Sequence, residues 1–273
     1  MSANTVVVEK SGPVTTIILN RPEVRNAVNP VTAKAIFEAF LAFDADADAA
    51  VAVLTGTDGA FCAGYDLKHT STLDKAALPL ADYDIPADWP GGQGGEIHMG
   101  PMGASRLTLS KPVIGAIAGP AVAGGMELAM WCDMRVMEET AYMGVYCRRW
   151  GVPLIDGGTQ RLPRLVGEGR AMDLILTGRQ VMAEECAQIG LCERVVAPGT
   201  ARAKAEKIAH DISRFPQGCM RADRLAAKQA LGLPLHEGLK REWQSREIVE
   251  KEAVDGAARF AAGHGRGGNF EDI

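Results

Sequence analysis

The feature that most constrains this chain is a change of texture near residue 198. Before it, short apolar or β-branched runs alternate with helical periodicities; after it, only helical periodicities remain. Residues 6–8 and Val14–Leu19 predict two strands joined by Lys10-Ser11-Gly12-Pro13, a hairpin signal. Pro30 opens a helix with Ala35, Ile36, Ala39, Phe40 and Phe43 on one face, and residues 51–54 form a short apolar strand ending at Thr55-Gly56. Residues 102–109 predict a helix, 113–118 a buried strand, 125–132 a helix and 134–137 another strand. Such alternation predicts an α/β fold with a parallel, layered core. The helices expected at 201–212, 220–230, 235–250 and 254–261 cannot extend a sheet, so they must pack on the core or on a neighbouring subunit. The chain is divided accordingly into a core, 1–197, and a C-terminal helical region, 198–273.

Composition narrows the partners. The length of 273 residues suits one large domain with an appendage. A formal charge of −5 and the lack of a basic stripe argue against nucleic acid, and no apolar run of about 18 residues suggests a membrane span. Six scattered cysteines without a C-x-x-C pair, and an N-terminus without a basic region followed by an apolar stretch, predict a soluble, reduced, cytoplasmic protein. The five histidines show no ligand spacing, so a metal is not expected. Residues 71–98, rich in Pro, Gly and Asp, read as a long irregular excursion of the kind that serves a site, with Tyr83, Trp89 and Pro90 expected to shape a pocket. Gly263-His264-Gly265-Arg266-Gly267-Gly268 matches a minimal dinucleotide fingerprint, but it follows no strand and opens no helix, so it is set aside.

Four segments carry a resemblance. They are Arg21-Pro22-Glu23-Val24-Arg25-Asn26-Ala27, then Ala60-Phe61-Cys62-Ala63-Gly64-Tyr65-Asp66-Leu67, then residues 117–129 with Gly124-Gly125-Met126-Glu127-Leu128-Ala129, and lastly Gly157-Gly158-Thr159-Gln160-Arg161-Leu162-Pro163. In this order, over residues 5–195, they resemble the crotonase (enoyl-CoA hydratase/isomerase) superfamily. The resemblance implies a spiral of repeated ββα units with a C-terminal helical trimerisation region, and so a homotrimer or hexamer. It implies an acyl-CoA substrate in fatty acid metabolism, with coenzyme A entering as part of the thioester and no permanently bound cofactor.

Enolisation of a thioester, or attack on its conjugated bond, puts negative charge on the carbonyl oxygen, and two preorganised N–H groups hold that charge well. By resemblance the donors are the amides of Tyr65 and Gly124. The same resemblance sets the CoA adenine near Ala60, Cys62 and Ala63, with Arg25 and Lys68 standing where cations meet its phosphates; the alternative for both is a solvated surface cation.

Hydration also needs a base to activate water and an acid to protonate the α-carbon. Glu127 matches the first of the two glutamates that do this in hydratases; otherwise it is a helix-start glutamate satisfying an early amide. The chain departs from the pattern at the second, where an ungapped register between 141–144 and 157–160 sets Cys147. Cys147 is either a nucleophile or a buried inert thiol. Asp156 is either a replacement proton partner or a turn aspartate. Arg148 and Arg149 have three readings: pairing with Glu127, pairing with a substrate carboxylate, or an ion pair between subunits. The expected activity is hydration of a 2-enoyl-CoA with Glu127 as base, and the alternatives are double-bond isomerisation, decarboxylation, thioester hydrolysis, or acyl-CoA binding without catalysis.

Overall fold

The computed structural model describes residues 4–74, 81–89, 98–265 and 267. Pro90-Gly91-Gly92, and Gly268 of the dismissed glycine pattern, lie outside the described residues.

Nine strands occur among the described residues: β1 (Val6–Ser11), β2 (Val14–Leu19), β3 (Val51–Gly56), β4 (Val113–Ile117), β5 (Pro120–Val122), β6 (Met134–Glu138), β7 (Tyr142–Gly144), β8 (Gln180–Met182) and β9 (Arg194–Val196). The larger sheet has the order β1-β2-β3-β4-β6-β9, antiparallel only at the β1–β2 hairpin. β2 and β4 are buried along their whole length, which is why they read as continuous apolar runs. The smaller sheet, β5-β7-β8, stands apart and escaped the sequence reading because three-residue strands carry no periodicity.

The helices are α1 (Pro30–Ala45), α2 (Leu67–Thr70), α3 (Gly124–Trp131), α4 (Gly158–Val166), α5 (Glu168–Thr177), α6 (Ala183–Gln188), α7 (Ala201–Ser213), α8 (Gln217–Ala230), α9 (Leu235–Trp243), α10 (Arg246–Ile248) and α11 (Val254–Ala261). Asn29 caps α1 by accepting the Thr32 N–H, Pro30 sits at its first turn, and Ile36, Phe40 and Phe43 are buried. One face of the main sheet meets α1 and α3. The other is covered by α7, whose Ala201, Ala205 and Ala209 pack on Val51, Val53, Ile114 and Val136. The last strand ends at Val196 and only helical elements follow it among the described residues, but α7 packs as part of the core. Asp133 holds α8 to the core through Arg224 (2.9 Å) and Lys228 (2.6 Å). Beyond it no residue of α9 to α11 is buried, and Leu235, Leu239, Trp243 and Val254 stand exposed.

Two expectations are corrected. Residues 102–109 form only a 3-10 turn at Ala104–Arg106, because Gly103 has φ +76 and the Met102 N–H is drawn away to the Asp156 carboxylate. Residues 235–250 are not one helix: α9 gives way to α10 and a π turn at Val249–Ala253, which brings Glu252 to the N–H groups of Gly218 and Cys219.

Candidate active site

The site begins with the loop after β3. Asn26, buried and at φ +58, donates from Nδ2 to the Thr57 carbonyl (3.0 Å) and the Ala60 carbonyl (2.8 Å) while its Oδ1 accepts the Arg21 N–H (2.9 Å). The asparagine of the first motif is thus what clamps the second. Arg21 adds an ion pair to buried Asp66 (2.9 Å). Burial opposes the Asp66 charge, but the His69 N–H and Arg21 outweigh it and hold the carboxyl below the usual range. Asp66 also caps α2.

This frame orients the Tyr65 amide. The Val28 N–H donates to the Gly64 carbonyl (2.8 Å) and the Asp66 N–H to the Val28 carbonyl (2.9 Å). A parallel bridge that uses residues 64 and 66 turns the N–H of residue 65 to the opposite side. The Gly124 amide comes from the second sheet. Val122 N–H donates to the Cys62 carbonyl (3.0 Å) and Ala123 N–H to the Gly144 carbonyl (2.9 Å), after which Gly124 opens α3 with an N–H that no helical carbonyl can take. Ala123 holds φ +54 and ψ −126, a strained conformation for a residue with a Cβ, and that strain directs the next amide. A Cβ on Gly64, itself at φ +93, would fall 2.9 Å from the Gly124 nitrogen, so the two segments touch there. Among the described residues neither the Tyr65 nor the Gly124 N–H has a backbone or side-chain acceptor.

Both residues line a cavity of about 430 Å³ with mainly apolar walls, among them Met102, Val122 and Trp150. Glu127, Cys147 and Asp156 line it too. Glu127 is buried in the first turn of α3, but its carboxylate does not serve its own helix: Oε1 accepts the N–H groups of Asp156 (3.0 Å) and Gly158 (2.8 Å). Glycine at 158 leaves room for this contact, since a Cβ there would stand 2.9 Å from that oxygen and force the carboxylate to shift. Burial first, and the Asp156 charge second, push Glu127 up to about 7 against the two N–H bonds. Asp156 is no turn aspartate either. Its Oδ1 accepts the Met102 N–H (3.0 Å) and the Ser105 hydroxyl, both distant in sequence, and burial raises its pKa.

The other expected residues separate. Cys147 is buried, and burial with the Glu127 charge raises its thiol, which disfavours a thiolate nucleophile. Arg148 donates to the Ile175 carbonyl (3.1 Å) and Arg149 lies over the Tyr146 ring (4.1 Å), so the Glu127 carboxylate meets backbone amides instead of either arginine. Of the three residues expected near the adenine only Ala63 lines the cavity. The Ala60 carbonyl accepts from Asn26, and both backbone groups of Cys62 are bonded to the Pro120–Val122 strand. The Ala63 N–H donates to the Arg25 carbonyl (3.0 Å), which keeps exposed Arg25 beside that wall; exposed Lys68 lies on α2.

As expected of the excursion, Tyr83 lines the cavity, beside Tyr65, whose hydroxyl is pushed to about 12 by burial and by the Tyr83 phenol. Two groups were missed. Ser105 has no sequence signal at all. Arg161 stands inside the fourth motif and donates to the backbone carbonyls of Asp156 (2.8 Å) and Ser105 (2.6 Å), joining two loops far apart in sequence.

The comparisons with known proteins agree with this architecture. The family model described as enoyl-CoA hydratase/isomerase matches residues 9–84 and 104–261. A probable enoyl-CoA hydratase of Rhizobium meliloti is 39% identical over 265 residues, 96% of each chain. A short-chain-enoyl-CoA hydratase of Clostridium acetobutylicum is 34% identical, covering 78% of this chain and 76% of the relative. The crystal structure of an enoyl-CoA hydratase from Bacillus anthracis superposes with a TM-score of 0.83 at 31% identity, covering 95% of this chain and 96% of that one. With the motifs, the sheet topology and these likenesses together, the chain belongs to the enoyl-CoA hydratase/isomerase family of the crotonase superfamily.

Proposed function

We propose that this protein hydrates a 2-enoyl-CoA thioester. The observation that carries the reading is the wall of the cavity itself: two backbone N–H groups without acceptors and two buried carboxyl groups open on one apolar space. In this reading the Tyr65 and Gly124 amides receive the thioester oxygen as it gains charge, each worth about 3 to 4 kcal/mol of transition-state stabilisation. The Glu127 Oε1 atom is filled by two obligate N–H donors, so Oε2 is the oxygen that takes a proton from water at the β-carbon. Asp156 returns a proton to the α-carbon. One proton enters on the pair and one leaves with it, so charge balances over the turnover, and the two groups titrate as a unit. Apolar walls around the pair strengthen each of these interactions.

Coenzyme A arrives with the substrate in this proposal, its head near Ala63, Arg25 and Lys68. The exposed apolar side chains of α9 to α11 support a homotrimer, or a hexamer of two trimers, as the partner arrangement. Sedimentation of the intact chain tests that; a monomer at micromolar concentration would reject it. The six free cysteines, five of them buried, support a cytoplasmic place in this proposal. Among the described residues no helix is long and apolar enough to cross a membrane.

Loss of the conjugated enoyl-thioester absorption with crotonyl-CoA and longer homologues, with a one-water mass gain, is the expected result. Absence of turnover with folded protein at every chain length rejects the proposal. Cys147, in place of a second glutamate, favours isomerisation as the competing reading, and a 3-enoyl-CoA converted without gain of water would select it.

A further inference from the structure

The proposed reaction needs a second proton-handling group, and the motif position that supplies it in hydratases holds Cys147. Asp156 occupies the cavity wall instead, and its surroundings are built rather than incidental. The Ser105 side chain is buried, and its hydroxyl donates to Asp156 Oδ1. The Met102 N–H donates to the same oxygen at 3.0 Å. Arg161 clamps the carbonyls of both Ser105 and Asp156, so the turn that carries the hydroxyl and the loop that carries the carboxyl are fixed to each other. Gly100 leaves room for the pair: a Cβ there would stand 2.7 Å from Asp156 Oδ1 and closer still to the Ser105 hydroxyl.

Resting on the reading of Asp156 as the partner of Glu127, we propose that Ser105 is a positioning residue that fills one oxygen of Asp156 and leaves the other, Oδ2, as the atom that carries the proton. The argument is one of donors and acceptors. A backbone N–H can only donate, and the serine hydroxyl has Oδ1 as its partner among the described residues. With two donors on Oδ1, a proton on Asp156 must sit on Oδ2. Among the described residues that oxygen has no hydrogen-bond partner, and it is not one of the buried unpaired atoms, so it opens to the cavity that Asp156 lines. Glu127 is arranged in the same way by different means, with two backbone N–H groups on Oε1. Each carboxyl group therefore offers the substrate a single working oxygen. The 3-10 turn at Ala104–Arg106, where a helix was expected, carries this hydroxyl to Asp156.

The charged and titratable groups facing Asp156 are Glu127 on α3, Arg161 on α4, Arg106 on the Ser105 turn, and the phenols of Tyr65 and Tyr83. Ser105→Ala removes none of these charges. It removes a hydrogen bond that favours the ionised carboxyl, so Asp156 keeps its proton to higher pH.

The test is a pH profile of hydration for the full-length enzyme, Ser105→Ala, Asp156→Asn and the double variant, with thermal melts to establish folding. Ser105→Ala should lower kcat about tenfold, leave KM within about twofold, and move the alkaline limb of kcat/KM up by roughly one pH unit. Added to Asp156→Asn it should change nothing further, since it acts through that residue. An unmoved limb, or a loss that multiplies in the Asp156→Asn background, overturns the positioning role. Wild-type turnover in Asp156→Asn removes the second proton group of the proposed reaction and this inference with it, whereas an inactive wild-type enzyme rejects the hydratase reading itself.

Discussion

The Glu127 carboxylate accepts the main-chain N–H of Asp156 at 3.0 Å, so the two acidic residues on the cavity wall are joined by one hydrogen bond although 29 positions separate them. The bond runs from a rigid helix to a loop. Whatever shifts residues 151–158 therefore changes the position of one carboxyl group and the hydrogen bonding of the other at once.

Glu127→Gln tests both chemistry and stability. Turnover should fall by roughly 10² to 10⁴, the range for losing a general base. The folded carboxyl is raised to about 7 from 4.5, so the folded state binds the proton more tightly than the unfolded one. Stability must then fall as pH rises from 4.5 to 7 and stay lowered above it, by roughly 3 kcal/mol. Glu127→Gln should therefore melt higher than the wild type at pH 8, with the gap closing on acidification. Calorimetry across that window checks the sign, and a wild type that is the more stable at pH 8 contradicts it.

Wild-type kcat/KM should decline as pH drops through about 7, where Glu127 takes up its proton. Stopped-flow rates at constant ionic strength, compared with Glu127→Gln, will show this; a profile flat to pH 5 leaves the base unassigned.

Gly64→Ala places a methyl 2.9 Å from the Gly124 nitrogen at a φ of +93. The thioester oxygen then cannot reach both amides, and kcat should fall by roughly 10² to 10³. Melting temperature should drop too, because Ala at that φ is strained. A variant with normal kcat would separate these amides from the chemistry.

Asn26→Ala leaves the carbonyls of Thr57 and Ala60 without their side-chain donor. Unfolding free energy should decrease by about 2 to 3 kcal/mol, read from urea curves. Activity should fall as well, because the same loop holds Tyr65. Cys147→Ser is the control: with a raised thiol, Cys147 should be dispensable within a few-fold, and iodoacetamide should label exposed Cys219 first.

Local pattern was enough for much of this protein. The β-branched runs at Val14–Leu19 and at 51–54, the Pro30 helix start and the paired glycines at 124–125 each announce their structure within a few residues, and the four motifs in order identify the family. Glu127 and Gly124 could be named as candidates for the same reason, since the motif and this part of the cavity wall share one stretch of chain. The tertiary structure alone decided the rest. That Asn26 clamps the Tyr65 loop, that α7 covers a sheet face, that residues 102–109 abandon a helix, and that Ser105 fills an oxygen of Asp156 all depend on groups between 31 and about 150 positions apart. Hydrogen-bond partners at such separations are chosen by the packing of sheet and helices, because a buried donor takes whichever acceptor the fold brings within 3 Å, and no spacing in the chain encodes that choice.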